Sequence, residues 1–137
     1  MRELKFRAWD LYNKRWLKIW MLYTSVGGDI FGIREISGES YGLHQVELRQ
    51  YTGIMDNNGK EIYEGDILTN DEPGEWEAGD GERATVAWDK DRSRWDMNFF
   101  SIYGGEGHMY ADEDLAHRVR VNAYVVIGNI YENPELL

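Results

Sequence analysis

The 137-residue chain contains no cysteine. That excludes disulfides and thiolate metal sites and leaves a reducing compartment open to it. No stretch approaches the ~20 apolar residues that cross a bilayer, and the N-terminus, Met1-Arg2-Glu3-Leu4-Lys5-Phe6, lacks an apolar run of signal-peptide length. The expectation is an intracellular protein without a membrane partner. Basic residues are scarce: 15 Lys and Arg stand against 25 Asp and Glu, for a net charge of −10. So acidic a chain is repelled by phosphate backbones at long range. The deficit is not uniform. Residues 1–20 hold Arg2, Lys5, Arg7, Lys14, Arg15 and Lys18 against Glu3 and Asp10, a local excess of four positive charges. Aromatics are plentiful at 14%, with six tryptophans, more than a core of this size readily holds, which places some rings at an interface.

Catalytic groupings are thin. His44, His108 and His117 form no His-x-x-x-His pair, and a metal site would need them to converge with a carboxylate such as Asp112 or Asp114. Gly104-Gly105-Glu106-Gly107-His108 carries an acid and lacks the Lys-Ser/Thr of a phosphate cradle. Asp56-Asn57-Asn58-Gly59 resembles the start of a calcium loop but has no closing Glu, and reads as a hairpin turn in which Asn58-Gly59 suits positive φ. No nucleophile elbow occurs. Catalytic, cofactor-binding and metal-binding residues are therefore none, with no cofactor and no small-molecule substrate identified.

The hydrophobic pattern has period two. Leu4–Trp9 alternates, a turn follows at Asp10–Lys14 with Asn13 suited to a left-handed conformation, and Arg15–Tyr23 is apolar on nearly both sides, hence central or at an interface. Ile30–Ile36, Val46–Tyr51, Glu61–Tyr63 and Asp66–Thr69 are further strands, the last two flanking a Glu64-Gly65 kink. Arg83–Trp88 and Arg94–Phe100 form a hairpin. Residues 70–82 read as an acidic loop, residues 112–118 as one short helix, Val119–Tyr131 as the last strand region, and Asn133-Pro134 as the start of a closing turn. The fold class is mainly β, a small partly open barrel with at most one or two short helices. It forms one domain over 1–137, with N-terminal strands of about 1–50 packing on a barrel of about 51–137.

Three blocks carry a family likeness: Lys5-Phe6-Arg7-Ala8-Trp9-Asp10; Gln50-Tyr51-Thr52-Gly53 through Gly65-Asp66-Ile67; and Val126-Ile127-Gly128-Asn129-Ile130-Tyr131-Glu132-Asn133-Pro134-Glu135-Leu136. On these the chain resembles the YopX family of phage and prophage proteins over nearly its whole length. The resemblance implies an SH3-type barrel in the later part, a bacterial host cytoplasm, and no assigned catalytic residue. Read physically, Gly53, Gly59, Gly65 and Gly128 turn or bulge the chain. Tyr51, Ile62, Tyr63, Ile67, Ile127, Ile130 and Tyr131 pack across strands, and Asp66 and Asn129 tie turns to backbone.

The candidate binding surface is basic and aromatic: Lys5, Arg7 and Trp9 on one strand, with Arg15, Trp16 and Lys18 on the next. Two uses fit it. The first is a non-enzymatic phage accessory module that docks to a protein, or to itself, through exposed aromatics. The alternative is nucleic-acid binding, with cations on phosphates and rings under bases, or an acidic loop that mimics DNA.

Overall fold

The computed structural model describes residues 3–70, 83–101, 105–107 and 114–137, with side chains at all of these except 100, 101 and 105–107. Expectations on 71–82, His108, Asp112 and Glu113 lie outside the described residues. The fold is mainly β, with one α-helix and sheets of the small-barrel type. The chain forms two compact units, 1–51 and 52–137.

The first unit holds β1 (Phe6–Asp10), β2 (Arg15–Leu17), β3 (Ile19–Thr24), β4 (Ile30–Glu35), β5 (Ser40–Gly42) and the beginning of β6 (Val46–Met55). β1 lies between β2 and β6, antiparallel to both. β3, β4 and β5 form a separate antiparallel sheet in that order. Arg15–Tyr23 is thus two strands in two sheets and not one. The break falls at Lys18, whose N–H donates to Glu35 Oε2 while its carbonyl accepts from Ile36 N–H. The turn before β2 puts positive φ at Lys14 and not at Asn13. Asp10 explains why: Oδ1 accepts the N–H of Tyr12 and Asn13, and Oδ2 accepts from Asn13 Nδ2, fixing Asn13 inside the turn. The core is Ala8, Leu17, Ile33, Tyr41 and Val46.

Beneath it sits an ion pair. Arg15 reaches Glu35 with both terminal nitrogens, at 2.9 and 3.0 Å, while Ser37 Oγ donates to the same carboxylate at 3.0 Å. Tyr41 completes the cluster, donating to Glu39 at 3.1 Å. Arg15's hydrogen bonds hold the buried Glu35 carboxyl below the usual carboxylate range, against the upward push of burial. Burial, with Glu39 beside it, pushes the Tyr41 hydroxyl up.

The second unit contains the end of β6 with β7 (Glu61–Tyr63), then β8 (Asp66–Thr69), β9 (Arg83–Asp89), β10 (Arg94–Ser101), β11 (Gly105–Gly107), α1 (Leu115–Asn122) and β12 (Val125–Asn129). Its five-stranded sheet runs β11-β10-β9-β8-β12, antiparallel throughout. The expected hairpin is present, with Trp88 opposite Trp95 and Val86 opposite Met97. Residues 105–107, within the Gly104–His108 stretch, are a strand. Residues 119–122, read as strand, continue the helix. Asp114 caps that helix through His117 N–H, Leu115 and Val119 bury into the core, and Ala123 in the left-handed region (φ 55) stops it. Burial of two apolar residues four apart outweighs the β preference of Val119 and Val121. At the Asn58-Gly59 turn only Gly59 takes positive φ, because Asp56 Oδ1 binds the N–H of Asn58 and Lys60 and sets the turn from the other side.

The closing block is tied down by amides. Asn129 Oδ1 accepts the N–H of Tyr131 and Glu132, and Asn133 Oδ1 accepts that of Asn129. Asn133 is thereby laid across Gly128, where an added Cβ would come within 2.7 Å of Asn133 Cγ and 2.9 Å of its Cβ.

Two outcomes follow. Gly128→Ala should destabilise the protein by about 1–3 kcal/mol through overpacking, read as a lower urea midpoint; an unchanged midpoint would show that Asn133 moves aside freely. Glu35 has a depressed folded-state pKa, so its contribution is present above the unfolded carboxylate value of about 4.3 and is lost as pH falls through the folded one. Arg15→Ala removes the largest lowering influence, and tryptophan fluorescence should report acid unfolding beginning at higher pH than in the parent. Coincident acid transitions would contradict this.

Candidate functional site: an exposed aromatic sheet face

The structure divides the six sequence candidates. Trp9 lies opposite Trp16 across the β1–β2 pair, with the rings edge to face at 5.0 Å. The Arg7 guanidinium covers the Trp16 ring at 4.1 Å from its centroid, and the Lys5 ammonium stands 5.5 Å from the Tyr51 ring and 3.3 Å from Glu3. Lys5, Arg7, Trp9 and Trp16 therefore share one face. Arg49, opposite Arg7 and 3.2 Å from Glu47, and Tyr51 complete it. Those last residues were missed. Period two puts Glu47, Arg49 and Tyr51 on one side of β6, but only the register of β6 on β1 brings them beside Arg7.

This face is already closed over itself. Trp9 is 6% exposed, and Trp16 is half-buried beneath Arg7, so neither ring offers a free π-surface for a base. Arg15 points to the opposite face, into Glu35, and Lys18 is exposed at the strand break.

Two freely presented rings, Trp20 and Phe31, stand on the outer face of the β3–β4–β5 sheet, and two bulges put them there. Ile19 pairs with Glu35 and Met21 with Arg34, so Trp20 is an unpaired extra residue on β3. Tyr23 pairs with Gly32 and Thr24 with Ile30, so Phe31 is the extra residue on β4. A bulged residue escapes strict alternation and can be re-aimed. Trp20 is 61% exposed, Phe31 58% and Met21 38%. Phe31 stacks on Tyr23 at 5.8 Å and 17°, the Arg34 guanidinium lies 5.4 Å from the Trp20 centroid, and Tyr23 hydroxyl bonds Ser40 Oγ at 2.9 Å. Gly32 makes room for this: a Cβ there would meet Tyr41 carbonyl oxygen at 2.7 Å and Tyr23 Cδ2 at 3.3 Å. Trp20, Met21, Tyr23, Phe31 and Arg34 thus form an apolar platform with one cation over it. Sequence parity alone could not reveal it, because parity fails at a bulge.

In the second unit, a groove of about 310 Å³ lies on the β9–β10 hairpin, lined by Ala87, Trp88, Asp89, Lys90, Asp91, Arg92, Asp96 and Asn98. Its carboxylates serve local structure. Asp89 accepts the N–H of Asp91 and Arg92 and pairs with the Arg92 guanidinium at 2.9 Å, which holds its carboxyl low. Asp96 binds Met97 N–H. Among the described residues no three His, Cys, Asp or Glu side chains gather as a metal site, and no helix is long and apolar enough to cross a membrane.

No curated protein matches the chain. Among solved structures, that of protein EF1440 from Enterococcus faecalis is similar, with a TM-score of 0.72 and 28% identity, covering 100% of this chain and 99% of the other. The family model described as YopX protein matches residues 5–137, the span that includes all three motif blocks. The chain belongs to the YopX family.

Proposed function

We propose that this chain is a non-enzymatic accessory protein of phage or prophage origin, working in the bacterial cytoplasm by binding protein through the outer face of the β3–β4–β5 sheet. One observation carries the reading: Trp20, Met21 and Phe31 stand in solvent on a single sheet face, two of them aimed outward by bulges. Contiguous apolar surface of this kind marks interaction sites, and aromatic and Met side chains are those enriched at interface centres. The motif residues Asp10, Asp56, Asp66, Asn129 and Asn133, by contrast, are bonded to main-chain groups, which suits a scaffold. The SH3-type description of the later strands belongs to the same proposal, supported by the five antiparallel strands of the second unit.

A second reading, single-stranded nucleic acid on the same face, has one observation in its favour. Residues 1–51 carry eight basic and six acidic side chains, leaving −12 for residues 52–137. Trp20 and Phe31 therefore sit on the one unit that does not repel phosphate, with Lys14 and Lys18 exposed in it. Of the original candidates, Lys18 alone among Lys5, Arg7, Trp9, Arg15, Trp16 and Lys18 keeps a role in this version.

The double variant Trp20→Ser/Phe31→Ser separates the readings. Both side chains are exposed, so the unfolding free energy should stay within about 0.5 kcal/mol of the parent. Partner capture from host cells should fall by about 30-fold or more, as for two central aromatic anchors. Capture unchanged in a folded double variant would refute the face as the interface. Salt-sensitive binding of a single-stranded oligonucleotide, lost in the same variant, would favour the second reading.

A further inference from the structure

The aromatic face ends at a sheet edge whose make-up points to one occupant. β3 is an outer strand of its sheet and, among the described residues, pairs only with β4. Its sequence, Ile-Trp-Met-Leu-Tyr-Thr, has no charge and no proline, two of the devices that keep an edge from recruiting another strand, and its one bulge, at Trp20, leaves Met21–Tyr23 regular. The other outer strands are less suited. β2, β5, β7 and β11 have three residues each, and β12 is bulged at its middle residue, Ile127, whereas the bulge of β3, at Trp20, lies near its start. In β3 the stretch Met21-Leu22-Tyr23 pairs regularly with Arg34-Ile33-Gly32, so the backbone groups on its far side are set in strand geometry.

We propose that β3 pairs antiparallel with β3 of a second copy of this chain, about a two-fold axis at Leu22. The inference rests on the proposed function and names the partner for that face. The axis sets Met21 opposite Tyr23 of the second copy, twice, on the outer face. Met21 stands across from Arg34 and Tyr23 across from Gly32 on that same side, so thioether and ring meet in the favourable sulfur–aromatic arrangement. It sets Trp20 opposite Thr24 and joins two three-stranded sheets into one of six strands, pairing both outer strands in an isologous contact. Charge favours this pairing over one through the other unit: +2 meets +2, whereas contact through residues 52–137 would bring −12 against −12. A three-residue ladder with a few exposed rings is small for an interface, so the dimer is weak, half-formed between about 10 µM and 1 mM.

Sedimentation equilibrium of the full chain from 1 µM to 1 mM tests it. A monomer–dimer transition is expected, together with slower amide exchange at Met21–Tyr23 at the higher concentrations. Met21→Lys/Tyr23→Lys places lysine opposite lysine twice and should weaken the dimer by at least tenfold. Met21→Glu/Tyr23→Glu should do the same, and an equimolar mixture of the two variants should restore association. A wild type that stays monomeric at 1 mM overturns the inference, as does a folded lysine variant that still dimerises. If the wild type is monomeric yet captures a host protein in a Trp20- and Phe31-dependent way, self-pairing fails and the binding face stands. If neither occurs, both fail.

Discussion

Asp56 joins two parts of the second unit that lie far apart in sequence. One of its oxygens accepts the N–H of Asn58 and Lys60, closing the β6–β7 turn; the other accepts the N–H of Val126, 70 residues later, at 2.9 Å. The backbone reinforces the link, with Asn57 N–H donating to the Tyr124 carbonyl at 3.1 Å. Tyr124 is buried beside Phe99, against the same core that receives Leu115 and Val119. The first hairpin and the last strand thus meet at one nearly buried carboxylate. A buried charge is tolerated only when hydrogen bonds replace its water, and here three backbone donors do so.

The same economy runs through the chain. Asp10 in the first unit accepts two backbone N–H groups and a side-chain amide. Burial alone would raise its carboxyl, but the hydrogen bonds from Asn13 and Tyr12, with Arg15 nearby, outweigh that and hold it low. Asp66 accepts Tyr63 N–H, and Asn129 accepts two N–H groups at the closing turn. These are among the residues that carry the family likeness, and each satisfies main chain that the short strands leave unpaired. Three of the motif carboxylates and one motif amide thus serve the scaffold, and the interaction surface proposed above lies away from the motifs, on the β3–β4 face.

Much of this was legible in the sequence. Period-two alternation located most strands, and the pairing of Arg83–Asp89 with Arg94–Ser101 could be read from its turn. Gly65 with positive φ and the tying roles of Asp66 and Asn129 also follow from residue chemistry. What escaped depends on distant partners. The strand break at Lys18 is imposed by Glu35 and Ile36, 17 and 18 residues on. The helical state of residues 119–122 is imposed by burial of Leu115 and Val119. For the candidate surface, alternation correctly grouped Lys5, Arg7 and Trp9. It could not show that Arg7 lies on Trp16, that Arg15 is taken by Glu35, or that bulges turn Trp20 and Phe31 outward. Register and bulges belong to pairs of strands, and a single strand's sequence does not contain them.

Asp56 and the other bonded motif side chains hold the backbone. Equilibrium urea unfolding of Asp56→Ala tests this most directly. The variant strips three backbone N–H groups of a charged acceptor, so a loss of about 2–4 kcal/mol is expected. A variant as stable as the parent would contradict the account.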